Sequence, residues 1–160
     1  GAGEAVAATF FAWMAGQGIC VQHILYDAAD LDTFAQLYRR GDIESIRKPH
    51  LLFVLGRYAR DQESRPEDLD AFLAGLERHR LGADAVWSVC AFGRGETEAL
   101  AAAIAHGGHV RIGFENSLWN ADGTVARDNA ERVATIADIS GKAGRPLASV
   151  EQGRVILGIV

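Results

Sequence analysis

Four segments of strand length, rich in branched and aromatic apolar residues, recur along the chain. One of them, HLLFVLG, is continuously apolar, which is typical of a strand buried on both faces. Another, HVRIGFENS, places apolar residues at alternate positions, Val110, Ile112 and Phe114. The pattern therefore predicts strands at 19–27, 50–56, 84–93 and 109–117.

Apolar residues at helical spacing surround these strands. We expect helices over 4–15, 30–40 and 96–106, each followed closely by a glycine that ends it. Asp128 with Glu131 can open a later helix, and a short last helix starts at about Ser149.

The helix after the second strand has the clearest local signals. Ser64 and Glu67 have the spacing of a capping box, in which two side chains satisfy free backbone amides. The apolar face that follows, closed by Gly82, consists of Leu69, Phe72, Leu73 and Leu76.

Strict alternation of four strands with helices predicts parallel strands joined by right-handed crossovers, hence an α/β fold in a single domain over 1–160. Two architectures have this alternation, an open doubly wound sheet and half of an eight-stranded barrel. Periodicity alone does not separate them.

Composition narrows the class of protein. The chain has 160 residues, 49% of them hydrophobic, and its net charge of -5 argues against a general nucleic-acid or anionic-membrane surface. No apolar run approaches the roughly 20 residues that span a bilayer, and the N-terminus does not resemble a signal peptide. Two cysteines without a C-x-x-C spacing indicate a reduced, cytoplasmic protein.

The segment HVRIGFENSLW raises the first question about chemistry, because one face of an otherwise apolar strand carries Arg111 and Glu115. Charges on an inward face need a partner or a ligand. Four residues along a strand separate the two by about 13 Å, too far to pair directly. Glu115 is then a candidate metal ligand or base, whereas Arg111 either serves function or bonds a carboxylate on a neighbouring strand.

The other strand ends carry further polar residues. In both architectures ligands bind where the carboxyl ends of the strands meet. Two of these ends are Gly-Arg pairs, which suit an anionic substrate or a phosphorylated cofactor, although either arginine alone could simply be solvated. Taken together, the four strand ends carry these candidate site residues: Asp27, Gly56, Arg57, Gly93, Arg94, Glu115, Asn116 and Ser117.

The segment GGHVRIGFENSLWNADGTVARDNAERV resembles the β-keto acid cleavage enzymes. The resemblance continues through WSVCAFGR, GICVQHILYD and PLASVEQGRVILGI, and covers essentially the whole chain. It implies a (β/α)8 barrel, of which this chain covers about the last four β/α units. It also implies a zinc-dependent condensation of a β-keto acid with acetyl-CoA, giving acetoacetate and a new acyl-CoA, in a homo-oligomer such as a tetramer.

The resemblance also implies roles for individual residues. Glu115 matches the carboxylate zinc ligand, Arg111 the catalytic arginine, and Asn116 the position of its partner aspartate. Gly93 and Arg94 match a Gly-Arg pair after the seventh strand, which we expect to meet the substrate or CoA together with Ser117.

The chain departs from the family pattern in four ways. It contains no His-x-His pair, which supplies the other zinc ligands, and it matches only the second half of the family's length, so we expect an intact enzyme to include more chain. Asn116 replaces an aspartate, and an amide cannot take up a proton. Gln22 and Ile24 stand where glutamates are expected, which indicates an altered substrate pocket.

These departures keep other functions open. The alternatives are a non-catalytic half-barrel that binds or assembles, and a divergent metal-binding family member with altered chemistry. An open nucleotide-binding domain is disfavoured, because no glycine-rich loop joins a strand to a helix.

Overall fold

A computed structural model describes residues 2–43 and 48–159, within which four strands alternate with helices. A 3-10 turn at Pro66–Leu69 leads directly into the third helix. The strands are β1 (Gln22–Leu25), β2 (His50–Leu55), β3 (Val86–Ala91) and β4 (His109–Val110). The helices are α1 (Ala2–Gly16), α2 (Ala28–Arg40), α3 (Asp70–His79), α4 (Glu96–Ala105), α5 (Asn129–Lys142) and α6 (Val150–Ile156).

The four strands form one parallel sheet in the order β1-β2-β3-β4, which confirms the α/β prediction. Leu52 of β2 pairs with Ile24 of β1 on one side and with Ser88 of β3 on the other. The spatial order follows the chain order without a reversal, as in consecutive units of a barrel. A doubly wound sheet instead reverses its order at a switch point.

The helices α2 to α5 pack on one face of the sheet. Alternate residues of β2 point to this face, and there Phe53 stacks on Phe72 of α3 with ring centroids 4.4 Å apart. The opposite face carries a smaller apolar cluster of Leu52, Val54 and Cys90, with Phe92 beside it. The sheet thus has one face covered by these helices and an opposite face with its own small apolar cluster, as a barrel wall has.

Several predicted helix starts are confirmed by their capping contacts. Asp128 accepts a hydrogen bond from the Glu131 amide at 2.8 Å, and Ser149 caps α6. Asp27, considered as a site residue at a strand end, accepts from the Asp30 amide at 2.8 Å and caps α2. Its contact in the fold is therefore structural.

The capping box predicted at Ser64 and Glu67 is wrong by one residue. The Asp68 carboxylate accepts from the Arg65 amide at 2.8 Å, and Pro66 occupies the first position of the turn. Ser64 is buried instead, and its amide donates to the Phe92 carbonyl at 2.9 Å. The Ser64 amide is held by the end of β3, so the turn starts one residue later.

The fourth strand is shorter than predicted. Alternation over 109–117 indicated nine residues of strand, whereas β4 contains only His109 and Val110. The Arg111 amide still donates to the Val89 carbonyl of β3 at 2.9 Å, after which the chain leaves the sheet. Among the described residues, no helix is long and apolar enough to cross a membrane.

Candidate functional site at the carboxyl end of the sheet

A tight turn follows β4 and carries the predicted site residues. The amides of Asn116 and Ser117 both donate to the Gly113 carbonyl, at 2.9 and 3.2 Å. Asn129, at the start of α5, accepts from the Phe114 amide at 2.8 Å. The turn is thereby anchored to α5. Because of the turn, the chain at Glu115 no longer runs in the direction of β4.

The turn brings Arg111 and Glu115 together, contrary to the prediction of about 13 Å. Nη2 of Arg111 lies 3.7 Å from Oε2 of Glu115. The prediction assumed that the strand continues to Glu115, whereas the chain turns at Gly113. The two side chains are also not buried in this chain, since 42% of the Arg111 side chain and 74% of the Glu115 side chain are exposed.

Arg111 and Glu115 line a cavity of about 230 Å³ at the carboxyl ends of the strands. Its walls combine two guanidinium groups, one carboxylate and a set of apolar and aromatic side chains. The full lining is Ile24, Tyr26, Val54, Arg57, Phe92, Arg111 and Glu115. Sequence reasoning named Arg57 only as a strand-end arginine, and the structure places it in the same cavity as Arg111.

Cys90 is buried beside Arg111 on the sheet face opposite the helices. Nη2 of Arg111 donates to Sγ of Cys90 at 3.5 Å. Burial raises the pKa of the Cys90 thiol, although the Arg111 charge acts in the opposite direction. The thiol therefore stays protonated at neutral pH and serves as a packing group rather than a nucleophile.

Gly93 and Arg94 lie at the end of β3 but do not line the cavity of Arg111 and Glu115. The Gly93 amide donates to the Asn116 carbonyl at 3.2 Å, which joins the two strand ends. The Arg94 amide donates to the Glu63 carboxylate at 2.5 Å. The Arg94 guanidinium covers the ring of Trp119, with Cζ 3.5 Å from the ring centroid.

Asn116 and Ser117 are buried within the turn, with exposed fractions of 7% and 5%. Oγ of Ser117 accepts from the Trp119 amide at 3.1 Å. Nδ2 of Asn116 is buried and has no hydrogen-bond partner among residues 2–43 and 48–159. Neither side chain contributes to the lining of the cavity.

A fully buried ion pair lies behind the turn and was not anticipated from the sequence. Arg132 of α5 donates to the Glu96 carboxylate at 2.8 Å and to the Thr97 hydroxyl at 2.9 Å, and both charged side chains are 0% exposed. Arg132 also donates to Asn120 at 3.3 Å. Burial raises the pKa of Glu96 more than Arg132 lowers it.

The ion pair connects the start of α4, the helix α5 and the loop after the turn. One signal in the sequence could have indicated it. Arg132 lies four residues before Ile136, on the buried face of α5. A charge at such a position needs a buried partner.

The described residues do not form a zinc site by themselves. No group of three or more histidine, cysteine, aspartate or glutamate side chains is placed to hold a metal ion in residues 2–43 and 48–159. Glu115 is the single carboxylate in the cavity lining, and structural or catalytic zinc takes three or four protein ligands.

A parallel α/β sheet with a small polar cavity at its carboxyl edge defines a class of proteins that bind small molecules at that edge. The sequence matches the beta-keto acid cleavage enzyme family over residues 2–159. The chain therefore belongs to this family, as its resemblance indicated.

Relatives that are similar in sequence to this chain are named for several different activities. A 3-keto-5-aminohexanoate cleavage enzyme from Acetoanaerobium sticklandii is 31% identical over 150 residues, which are 94% of this chain and 52% of that protein. A 3-oxoadipate:acetyl-CoA acetyltransferase from Cupriavidus necator is 33% identical over 112 residues, which are 69% of this chain and 38% of that protein. The chain spans about half the length of the first of these curated relatives.

Solved structures show the same fold. The apo structure of ObcA superposes with a TM-score of 0.69 over 94% of this chain and 39% of that chain, at 16% identity. ObcA in a ternary complex with a C4-CoA adduct and oxalate gives a TM-score of 0.67 at the same identity.

Proposed function

We propose that residues 1–160 form one domain, the last four β/α units of a (β/α)8 barrel. Three observations support this architecture. The strand order follows the chain, the described helices α2 to α5 cover one face of the sheet, and the chain matches about two fifths of the length of ObcA. A barrel also accounts for the separate apolar cluster of Leu52, Val54 and Cys90 on the sheet face opposite the helices, which would then face the barrel interior.

We infer that the protein is an acyltransferase that cleaves β-keto acids. In the proposed reaction a β-keto acid and acetyl-CoA exchange partners. The bond between the keto carbon and the α-carbon breaks, the released acetate unit joins the acetyl group as acetoacetate, and the remaining acyl group leaves as a CoA thioester. The observation that carries this proposal is the pairing of Arg111 and Glu115 in one cavity, within a chain of this family.

The proposed role of Arg111 is to hold and neutralise the negatively charged acid. Its guanidinium supplies several donors in a plane that matches a carboxylate, and its side chain remains partly exposed to the cavity. Arginine is too weak an acid to serve as a free base, so Arg111 acts by charge and orientation rather than by exchanging a proton.

Asn116 is proposed as a catalytic residue beside Arg111, acting from within the turn rather than from the cavity lining. Its carbonyl holds the Gly93 amide, and its side chain is buried. The amide at this position favours the second candidate function, a divergent family member with altered chemistry, because an amide does not exchange protons as a carboxylate does. The variant Asn116→Asp distinguishes the proposed β-keto acid cleavage from the altered chemistry of a divergent member. A rise in acetoacetate formation supports altered chemistry through residue 116, and unchanged activity opposes it.

We propose that three residues contribute to the binding of CoA, namely Arg94, Gly93 and Ser117. Arg94 is exposed beside the loop after the turn, outside the small cavity. Its guanidinium remains accessible on one face while the other covers Trp119. This position suits phosphate groups at the rim, and Gly93 and Ser117 shape the backbone that presents Arg94.

Glu115 is proposed as one ligand of a zinc ion whose other ligands lie outside the described residues. The test measures metal content rather than turnover. Glu115→Gln in the full-length gene product should lower the bound zinc per chain well below one, whereas Glu98→Gln, on the exposed side of α4, should leave it unchanged. Equal zinc content in the Glu115 variant and the wild type would remove Glu115 from the site.

The activity is tested by incubating the full-length gene product with acetyl-CoA, zinc and a panel of β-keto acids. Formation of acetoacetate together with a new acyl-CoA, followed by mass spectrometry, is the expected result. Absence of acetoacetate with every acid would contradict the proposed function. Sedimentation of the same sample tests the proposed homo-oligomer, for which a tetramer is the expected mass.

A further inference from the structure

Arg57 is the charged group of the cavity that has no opposite charge beside it. The lining contains two guanidinium groups, those of Arg57 and Arg111, and one carboxylate, that of Glu115. Glu115 lies 3.7 Å from Arg111. Within residues 2–43 and 48–159 no carboxylate lies within 4 Å of the Arg57 guanidinium, which contacts the Phe92 ring.

The backbone fixes where Arg57 lies. Gly56 ends β2 with φ of 78°, a left-handed conformation that glycine adopts without strain. A side chain at Gly56 would lie 2.8 Å from the Ser64 amide nitrogen, because the loop folds back closely at this point. The chain therefore turns sharply and directs residue 57 over the end of the sheet.

Phe92 holds the guanidinium in this position. Cζ of Arg57 lies 5.2 Å from the centroid of the Phe92 ring, within the range of a cation–π contact. Among the described residues the Arg57 guanidinium makes no salt bridge, so its N–H groups can bind an anion. The other walls, Ile24, Tyr26 and Val54, carry no charge.

The residues that share the cavity indicate which anion Arg57 meets. Arg57 and Arg111 line the same cavity of about 230 Å³, and Arg111 is the residue proposed to hold the acid. Arg94, the arginine proposed to meet CoA, lies outside this lining. The anion expected at Arg57 is therefore a group of the acid rather than a phosphate of CoA.

We propose that Arg57 binds a second carboxylate at the far end of the substrate, so that the enzyme prefers β-keto dicarboxylic acids. This inference rests on the proposed function for the position of the first carboxylate, which meets Arg111. Two guanidinium groups then face two carboxylates. A substrate with a terminal ammonium group would instead face Arg57 with a like charge.

Kinetics with substrates of equal chain length test the preference. The full-length gene product is assayed with a six-carbon β-keto dicarboxylate and with the six-carbon β-keto monocarboxylate. Arg57→Gln keeps most of the side-chain stem over Phe92 but removes the charge. We expect this variant to lower the ratio of the two kcat/KM values at least about tenfold, and to leave the KM for acetyl-CoA unchanged.

Two further variants complete this kinetic test. Arg57→Lys, which keeps the charge, should recover part of the ratio. Arg60→Gln removes an exposed arginine of the same loop that does not line the cavity, and should leave the ratio at its wild-type value. A wild-type preference for the monocarboxylate, or an equal ratio in Arg57→Gln and the wild type, would overturn the proposal. A rise only in the KM for acetyl-CoA would assign Arg57 to CoA and also overturn it.

A binding experiment separates this inference from the proposed function. Calorimetry with adipate and hexanoate needs no turnover. Tighter binding of adipate that Arg57→Gln abolishes and Arg60→Gln retains supports the inference, even if no β-keto acid is cleaved and the proposed function fails. Equal affinities for the two acids in the wild type would overturn the inference, whatever the enzyme assay shows.

Discussion

Nη2 of Arg111 lies 3.7 Å from Oε2 of Glu115 because the chain turns at Gly113 instead of continuing as a strand. In an extended strand these two charged side chains would have no partner. Because of the turn, they lie close together at the rim of a cavity. Both side chains keep much of their surface exposed. An exposed pair contributes about 0–1 kcal/mol to stability, so we expect Arg111 to matter little for folding.

Arg111→Gln should therefore separate activity from stability. We expect kcat/KM for the β-keto acid to fall about tenfold to a hundredfold, the effect of losing a charge-assisted hydrogen bond to a carboxylate. The free energy of unfolding should change by less than about 1 kcal/mol. Denaturant unfolding and initial rates measure the two quantities.

Arg127 offers a matched control for Arg111. It forms another Arg–Glu pair four residues apart, with Nε 2.7 Å from Oε2 of Glu131, and it does not line the cavity. Arg127→Gln should change neither kcat/KM nor KM appreciably. Similar losses of activity in both variants would show that the effect of Arg111 does not depend on the cavity.

The Glu96–Arg132 pair should behave in the opposite way, since both side chains are fully buried. Arg132→Met leaves the Glu96 carboxylate buried without its partner, and we expect a loss of about 3–5 kcal/mol in unfolding free energy. The double variant Glu96→Leu/Arg132→Met should recover a large part of this loss, because no buried charge remains. A double variant less stable than Arg132→Met alone would contradict this account.

Substituting alanine for Gly93 should destabilise the protein, whereas substituting alanine for Gly141 should stabilise it. Gly93 has φ of 83°, and a side chain there would lie 2.6 Å from the Gln62 carbonyl and still closer to the Glu63 carboxylate. Gly93→Ala should cost about 1–3 kcal/mol. Gly141 lies in α5 with open space around it, so Gly141→Ala should stabilise by about 0.5–1 kcal/mol. Thermal unfolding of the two variants measures both changes, and stabilisation by Gly93→Ala would refute the crowding argument.

Stability should fall as the pH decreases from neutrality, through the partly buried His23. Burial, with a smaller contribution from the charge of His50, lowers the pKa of His23 from 6.5 to about 4. The unfolded chain then binds a proton that the folded chain does not, so stability present above pH 6.5 is lost as the pH falls toward 4. The loss from this one group is at most roughly 3 kcal/mol.

His23→Phe should reduce this pH dependence. The ring of His23 lies between Phe11 and Phe34, with centroids 5.4 and 4.9 Å away, so an apolar ring suits the position. His106→Gln, at an exposed position, is the control and should keep the wild-type slope. Urea unfolding between pH 7 and 4 gives the slopes, and parallel curves for His23→Phe and the wild type would exclude His23 as the cause.

Local patterns in the sequence predicted the elements of the fold well. The apolar run at β2, the helical spacing around Phe72 and the capping residue Asp128 each reflect interactions within a few neighbouring residues. Such interactions can be recognised without knowing the rest of the chain. The alternation of strands and helices likewise predicted a parallel sheet, and the sheet is parallel.

The end of β4 could not be predicted in this way. Alternation continues through Glu115, yet the strand stops after Val110, because β3 pairs with only the first residues of this segment. The contact from Asn129 to the Phe114 amide, which anchors the turn, joins residues 15 positions apart. A periodic pattern contains no information about such a contact.

The sequence by itself determined the α/β class, the family and the residues at the strand ends that carry charge. The tertiary structure decided which of them meet: Arg57 joins Arg111 and Glu115 in the cavity, while Arg94 lies against Trp119. The physical reason is that strand-end side chains are directed by turns and by contacts between distant segments. Glycines 56 and 93 permit those turns, but the packing of loop 56–65 against β3 sets the direction in which each arginine points.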